Sequence, residues 1–276
     1  KNGKKQQEFA SYFHTHKSQE FFLNLINYIK YNRYFKIPDV MSYLYGFICH
    51  YVLDTTLHPY IYYKTGVFNK ENKETWKYNG KQYEIEVLID LYFIKQKEKS
   101  SPYKFKFYDF CFDLKPFSKE LEEVIDYSFK ETFGIKNMSK YYKESLKEMY
   151  SALKYFRYDK TGIKHNFYLL VDKITPATTF PFRVISYHLP NKDTTFLNLN
   201  HNSWNHPALK REKHNESVID LYLKAFHQTN NIIKQVNSYI KETKKVNLKK
   251  VFSKLSYCTG KNCDKIFELK YFEEIK

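Results

Sequence analysis

Apolar residues recur along this chain at helical spacing, and no stretch sustains the alternation of a strand. The pattern therefore predicts an all-α fold, a compact multi-helix bundle. In HTHKSQEFFLNLINYIKYN, residues Phe21, Leu25, Ile26 and Ile29 fall on one stripe, and either His14 or His16 can project into the core. Pro38-Asp39 opens a second helix with Asp39 as its expected N-cap, and Pro59 is expected to end it, because proline restricts its predecessor and donates no ladder bond. A loop over 64–81 leads to a third helix, QYEIEVLIDLYFIKQK, and 98–117 reads as a loop or surface crossing. Ser118 is the expected N-cap of a helix that stops at Gly134. Further helices are expected over Ser139–Tyr155, Gly162–Lys173 and Glu216–Lys241, with a short helix or turn over 175–189 and a loop-rich stretch over 190–215. Glycine and proline number only seven and eight, and no linker composition breaks the chain, so 1–276 is expected to be one domain.

The stretch YGFICHYVLDTTLHPYI, Tyr45–Ile61, carries the candidate chemistry. It spaces His50, Asp54 and His58 four residues apart, which in a helix brings side chains to one face. Phe47, Ile48, Tyr51, Val52, Leu53 and Leu57 lie between them, so the helix is expected to be apolar nearly all round and buried. A hydrogen-bonded core pair would explain His50 and Asp54 alone. A third ligand-type residue in phase points instead to a divalent metal, for which imidazole and carboxylate are suitable ligands. At about 1.5 Å rise per residue, His50 and Asp54 can serve one ion and His58 a neighbouring one. Gln82, Glu86 and Asp90 repeat the four-residue spacing; taken alone they read as a hydrated stripe, with ligands facing the first set as the alternative.

Composition adds limits. The net charge of +16 comes mostly from lysine, spread along the chain and accompanied by much Asn, Tyr, Phe and Ile. That mixture fits an A+T-rich coding bias; no specific nucleic acid is expected as partner, though the charge would help draw anionic substrates. Aromatic residues sit at helical spacing and read as core. No apolar run is long enough to cross a membrane, and residues 1–13 lack the core of a signal peptide. The chain opens without methionine, so a segment removed upstream is expected, and the compartment stays open between cytoplasmic and secreted. Cys49, Cys111, Cys258 and Cys263 are too few and too scattered for a disulfide framework; Cys49 is expected to fill the core, and Cys258 and Cys263 either pair or, as preferred, remain free thiols. His201 and His206 flank Trp204 and are expected to pack around the indole, while His165, His188, His214 and His227 read as isolated.

YLYGFICHYVLDTTLHPYI with the later EIEVLID, supported by FHTHKSQEFF, FLNLNHNSWNHP and the closing SYCTG, resembles the bacterial zinc-dependent phospholipase C family, clostridial-type branch, similar in fold to the P1-type nucleases. The resemblance implies a helical bundle holding up to three zinc ions, of which one or two are expected here. It implies His16 as the first helix's ligand with His14 as its alternate, His50 and Asp54 on one ion with Asp54 bridging, and His58 on the second. It also implies Glu86 as the glutamate of a helical His-x3-Glu pair, with Gln82 and Asp90 as further ligands or supports.

Two departures stand out. Gln82 replaces the histidine of that pair, and its amide oxygen is a weak zinc ligand. The family's N-terminal HGPD-like segment, with another histidine ligand and an aspartate, has no counterpart in the residues before His14, so a missing segment is expected. The implied activity is hydrolysis of phosphodiesters, foremost phospholipid head groups. A catalytically degenerate relative with a structural or binding role and a P1-like nuclease are the alternatives.

Overall fold

The computed structural model describes residues 12–97, 105–106, 108–109, 112, 114–154, 158–188 and 194–273. The polar start over 1–11, Cys111 and much of the 98–117 crossing lie outside them. The described elements are α1 (Ser18–Tyr31), α2 (Pro38–Thr65), α3 (Lys81–Lys97), α4 (Lys119–Phe133), α5 (Met138–Leu153), α6 (Ile163–Ile174), β1 (Trp204–His206), β2 (Leu209–His214), α7 (Val218–Ile240) and the short α8 (Leu248–Val251). The fold is all-α apart from one two-stranded hairpin. The chain divides into two compact units. The first takes Lys1–Pro59, Lys115–Glu144 and Ile219–Glu268; the second takes Tyr60–Leu114, Ser145–Val218 and Leu269–Lys276.

In the first unit α1 buries Phe21, Phe22, Leu25, Ile26 and Ile29 completely, against Val124, Ile125 and Phe129 of α4 and Val40, Leu44 and Ile48 of α2. Full burial of such a side chain contributes about 1.5–3 kcal/mol, so this cluster outweighs any single polar contact in the unit. The ends of α4 follow their local sequence. The Ser118 side chain accepts from the Leu121 N–H, and Gly134 takes the left-handed conformation (φ 75°) that closes the helix. Asp39 sits in the first turn of α2 rather than capping it, and its carboxylate instead accepts the Ser118 N–H at 2.9 Å and hydroxyl at 3.0 Å, fixing the start of α4.

The central helix differs from its expectation in two ways. It is not buried all round: Ser42, Gly46, Cys49 and Leu53, spaced four, three and four, form its open side, so Cys49 is exposed and does not fill the core. Cys49 lies about 100° round from Ile48, which already faces the core, and this part of the helix packs by the Ile48 side. Nor does the helix stop at Pro59. Proline deletes only the bond to the Thr55 carbonyl, and the pattern resumes beyond it, with Gly66 N–H donating to Tyr62 at 2.9 Å. The Thr55 oxygen so released faces Gly260.

In the second unit, Leu91 and Ile94 of α3 pack with Tyr187. The 190–215 stretch, expected as loop, contains the antiparallel β1–β2 hairpin, whose register is irregular between Asn205 and His206. No apolar alternation announces it, because the partly covered positions of β2 include Glu212 and His214. Trp204 donates its indole N–H to the Glu216 carbonyl at 3.1 Å and stacks on His214 at 4.3 Å. The indole is thus packed by His214. His206 is buried, its Nδ1 accepting from the Ala208 N–H, and His201 Nδ1 lies 3.2 Å from the Asn215 carbonyl. Among the described residues, no helix is long and apolar enough to cross a membrane.

Candidate metal centre

Three ligand-type side chains converge in the first unit. One nitrogen each of His14 and His50 and one oxygen of Asp54 all lie within 4.8 Å of one another. His50 and Asp54 meet through the helical four-residue spacing, with His50 Nε2 2.8 Å from Asp54 Oδ2. The His50 side chain is 44% exposed and that of Asp54 only 13%, so the group sits on the border between the packed and open sides of α2, within reach of solvent.

His14 arrives from a helical turn over 12–15 and is held there by the end of the unit. A small clasp over 254–263, closed by Ser256 N–H to Lys261 O (2.9 Å) and Cys263 N–H to Lys254 O (2.8 Å), donates the Tyr257 N–H to the His14 carbonyl at 2.8 Å. The Tyr257 ring stacks on the His14 imidazole at 5.2 Å and meets His50 edge-on at 5.3 Å. Its carbonyl lies 3.0 Å from His58 Nδ1, which donates to it and so carries its lone pair on Nε2. His58 Nδ1 is 3.8 Å from Asp54 Oδ2. The clasp is tied to α2 by the Tyr51 hydroxyl on the Ser253 carbonyl at 2.6 Å. It closes tightly because residue 260 is glycine: a Cβ there would stand 2.4 Å from the Thr55 carbonyl oxygen, and its φ of 60° disfavours other residues.

Burial first, and the neighbouring His50 second, hold His14 below the ordinary histidine pKa, so it is neutral at neutral pH, the form that binds metal. Tyr257 is fully buried with no partner for its hydroxyl, and burial pushes the phenol well above its usual range.

The remaining predicted residues are placed elsewhere. His16 is exposed, stacks on Tyr12 at 4.4 Å and has its Nδ1 2.8 Å from the Thr15 hydroxyl; it is not in the group. Gln82, Glu86 and Asp90 line one side of α3 in the second unit, where the Gln82 amide donates to Glu86 at 2.9 Å. Asp90 keeps an open edge, yet withdrawal from water, and then the Glu86 carboxylate, push its carboxyl up to about 6. His165 and His188, expected to be isolated, stand 5.5 Å apart. Asp159 ties both, its carboxylate to the His165 N–H and its carbonyl to His188 Nδ1.

Tyr257 and Gly260 were not singled out by sequence reasoning. One of 27 tyrosines carries no mark of its contacts, and SYCTGKNC signals a turn without saying what the turn grips.

Two imidazoles and one carboxylate are the nitrogen–oxygen donor set that zinc takes, and three protein ligands are the number that leaves a position for a reacting molecule. The residues fit the metal. A family model described as zinc dependent phospholipase C matches residues 2–156, more than half of the chain and the part that holds His14, His50, Asp54 and His58. No curated protein and no solved structure matches. With more than half its length in that match, the chain belongs to the zinc-dependent phospholipase C family, a family of hydrolases whose metal is zinc.

Proposed function

We propose that the chain is the metal-binding body of a phospholipase C that cleaves the phosphodiester of phospholipid head groups, with one zinc held by His14, His50 and Asp54. The observation that carries the reading is the convergence of those ligand atoms within 4.8 Å on a solvent-reaching flank of α2. His14 here takes the role that the family resemblance gives to His16, and His58, oriented by the Tyr257 carbonyl, stands beside Asp54 as support.

When bound, zinc supplies a Lewis acid that acidifies water and offsets charge on a phosphoryl oxygen. The chain's own residues provide the charge setting. Two neutral imidazoles and one carboxylate leave the loaded centre net positive, complementary to a phosphodiester monoanion. The reaction forms a bond from water oxygen to phosphorus and breaks the phosphorus–oxygen bond to the glycerol, releasing a diacylglycerol and the phosphorylated head group. The Gln82–Glu86 hydrogen bond supports a single ion, because the pair assigned by resemblance to a second zinc is engaged with itself.

Metal analysis of the purified protein should find one zinc per chain. His50→Ala should lose both the metal and the hydrolysis of a chromogenic phosphocholine ester, while single-stranded nucleic acid stays intact. A wild type that takes up no zinc, or that cuts nucleic acid in place of the ester, would sink the proposal.

A further inference from the structure

Helix α6 is amphipathic with its faces reversed. Ile163, Phe167, Leu170 and Ile174 are 72%, 60%, 61% and 85% exposed. Their spacing of four, three and four confines them to an arc of about 60° at 100° per residue, so they form one continuous apolar stripe turned to water. The opposite side carries the polar groups. Asp172, its side chain 10% exposed, accepts from the Phe182 N–H at 2.6 Å and from Arg183 Nη1 at 3.1 Å, and His165 is bonded through its backbone to Asp159. A helix that packs by its apolar side would have the reverse arrangement. Phe180 and Phe182, in the segment that Asp172 tethers, are exposed as well.

The surroundings of the stripe are basic. At 100° per residue Lys173, exposed, lies about 90° to one side of its centre and Lys160, exposed, precedes the helix, while Lys164 on the other side is half-buried with its ammonium on the Ile185 carbonyl at 3.3 Å. The one acidic residue of α6 is matched by Arg183. An apolar stripe flanked by lysines is the pattern of a helix that lies in a bilayer interface, its apolar side among acyl chains and its lysines at the headgroups.

We propose that α6 docks this chain on the surface of a bilayer containing anionic phospholipid. A second copy of the chain fits less well, because a two-fold contact through the stripe would set its flanking lysines against their own equivalents, whereas anionic headgroups neutralise them. The inference rests on the proposed phospholipase reading, since a substrate held in a bilayer requires the protein to reach that surface.

The test uses the zinc-loaded full chain, with co-flotation on phosphatidylcholine vesicles with and without phosphatidylserine, and hydrolysis of a soluble phosphocholine ester measured in parallel. The wild type should float with the phosphatidylserine vesicles. Phe167→Ser with Leu170→Ser should weaken partition by about tenfold or more, and Lys173→Glu should reduce the preference for anionic lipid, with ester hydrolysis unchanged in both. The Phe167→Trp variant should move its emission to shorter wavelength when phosphatidylserine vesicles are added. Absent flotation, flotation indifferent to the serine substitutions, or emission from the Phe167→Trp variant that shifts with protein concentration and not with vesicles would overturn the docking role. Ester hydrolysis without flotation defeats the docking role alone, and stripe-dependent flotation without hydrolysis defeats the phospholipase reading alone.

Discussion

Helices α2 and α6 break the same rule in opposite senses. In α2 the ligand-type side chains of Asp54 and His58, 13% and 12% exposed, are drawn in beside an apolar core. In α6 the apolar stripe is turned out while Asp172 and His165 face the protein. Taking polar groups from water costs free energy unless each finds a partner, and leaving large apolar groups in water forgoes the gain of burying them. The first deviation is held by surrounding structure, with the Tyr257 carbonyl on His58 and the His14 and His50 rings around the carboxylate. The second is tethered through its polar side. A centre that must keep its geometry is braced; a surface that meets a fluid partner need not be.

The largest effect should come from removing a member of the braced group. His50→Ala takes away one nitrogen and the partner of Asp54 Oδ2 at 2.8 Å. The loss of metal-dependent stabilisation of several kcal/mol corresponds to about 10³-fold or more in kcat/KM on the phosphocholine ester. Steady-state kinetics alongside zinc analysis checks it. A variant that keeps its zinc and most of its activity would dissolve the contrast between the two helices.

How far this centre can be read from sequence depends on which contacts are local. His50, Asp54 and His58 are legible because helical periodicity alone sets them on one side. The choice of His14 over His16 is not, because it depends on the Tyr257 N–H reaching the His14 carbonyl from more than 240 residues away. The caps of α4 are legible in Ser118 and Gly134 for the same local reason. The passage of α2 through Pro59 is hidden, since what packs against the released Thr55 oxygen is Gly260, some 200 residues further along the chain. In α6 the helix is legible but not which side packs: the spacing of Ile163, Phe167, Leu170 and Ile174 is what a core-facing stripe also shows.

A smaller effect, on stability, should follow from Gly260→Ala. The new Cβ would meet the Thr55 backbone oxygen at 2.4 Å, and the left-handed φ of 60° adds strain. Together these should cost about 2 kcal/mol or more. Because the clasp positions Tyr257 over His14, zinc affinity should fall with it. Urea unfolding and a competitive zinc titration read the two effects, and an unchanged zinc affinity in a destabilised protein would separate the clasp from the centre.

The pH dependence is gentler. His14 is held below its ordinary value in the folded chain, whereas the unfolded chain takes up that proton near pH 6.5. The unfolded state therefore binds more protons as the medium is acidified, so stability falls as pH drops through about 6.5 and is unaffected by this group above it. His165 is shifted downward too, by burial first, and adds the same sign. Urea unfolding of chelator-treated protein should show the decline, and His14→Gln should flatten part of it. A decline of the same steepness in the variant would remove His14 as its source.

The smallest effect distinguishes the unbraced helix. Leu170 is 61% exposed, so Leu170→Ser removes little buried apolar area in water. What remains is the difference in helix propensity between leucine and serine, a few tenths of a kcal/mol. Thermal unfolding without lipid should therefore place the variant within about 0.5 kcal/mol of the wild type. The same residue change at Leu44, fully buried against α1 and α4, should cost several times more, because it empties a packed position and leaves a hydroxyl among apolar groups. If Leu170→Ser destabilises the lipid-free protein as much as Leu44→Ser does, the stripe is packed in solution and α6 belongs with the braced elements.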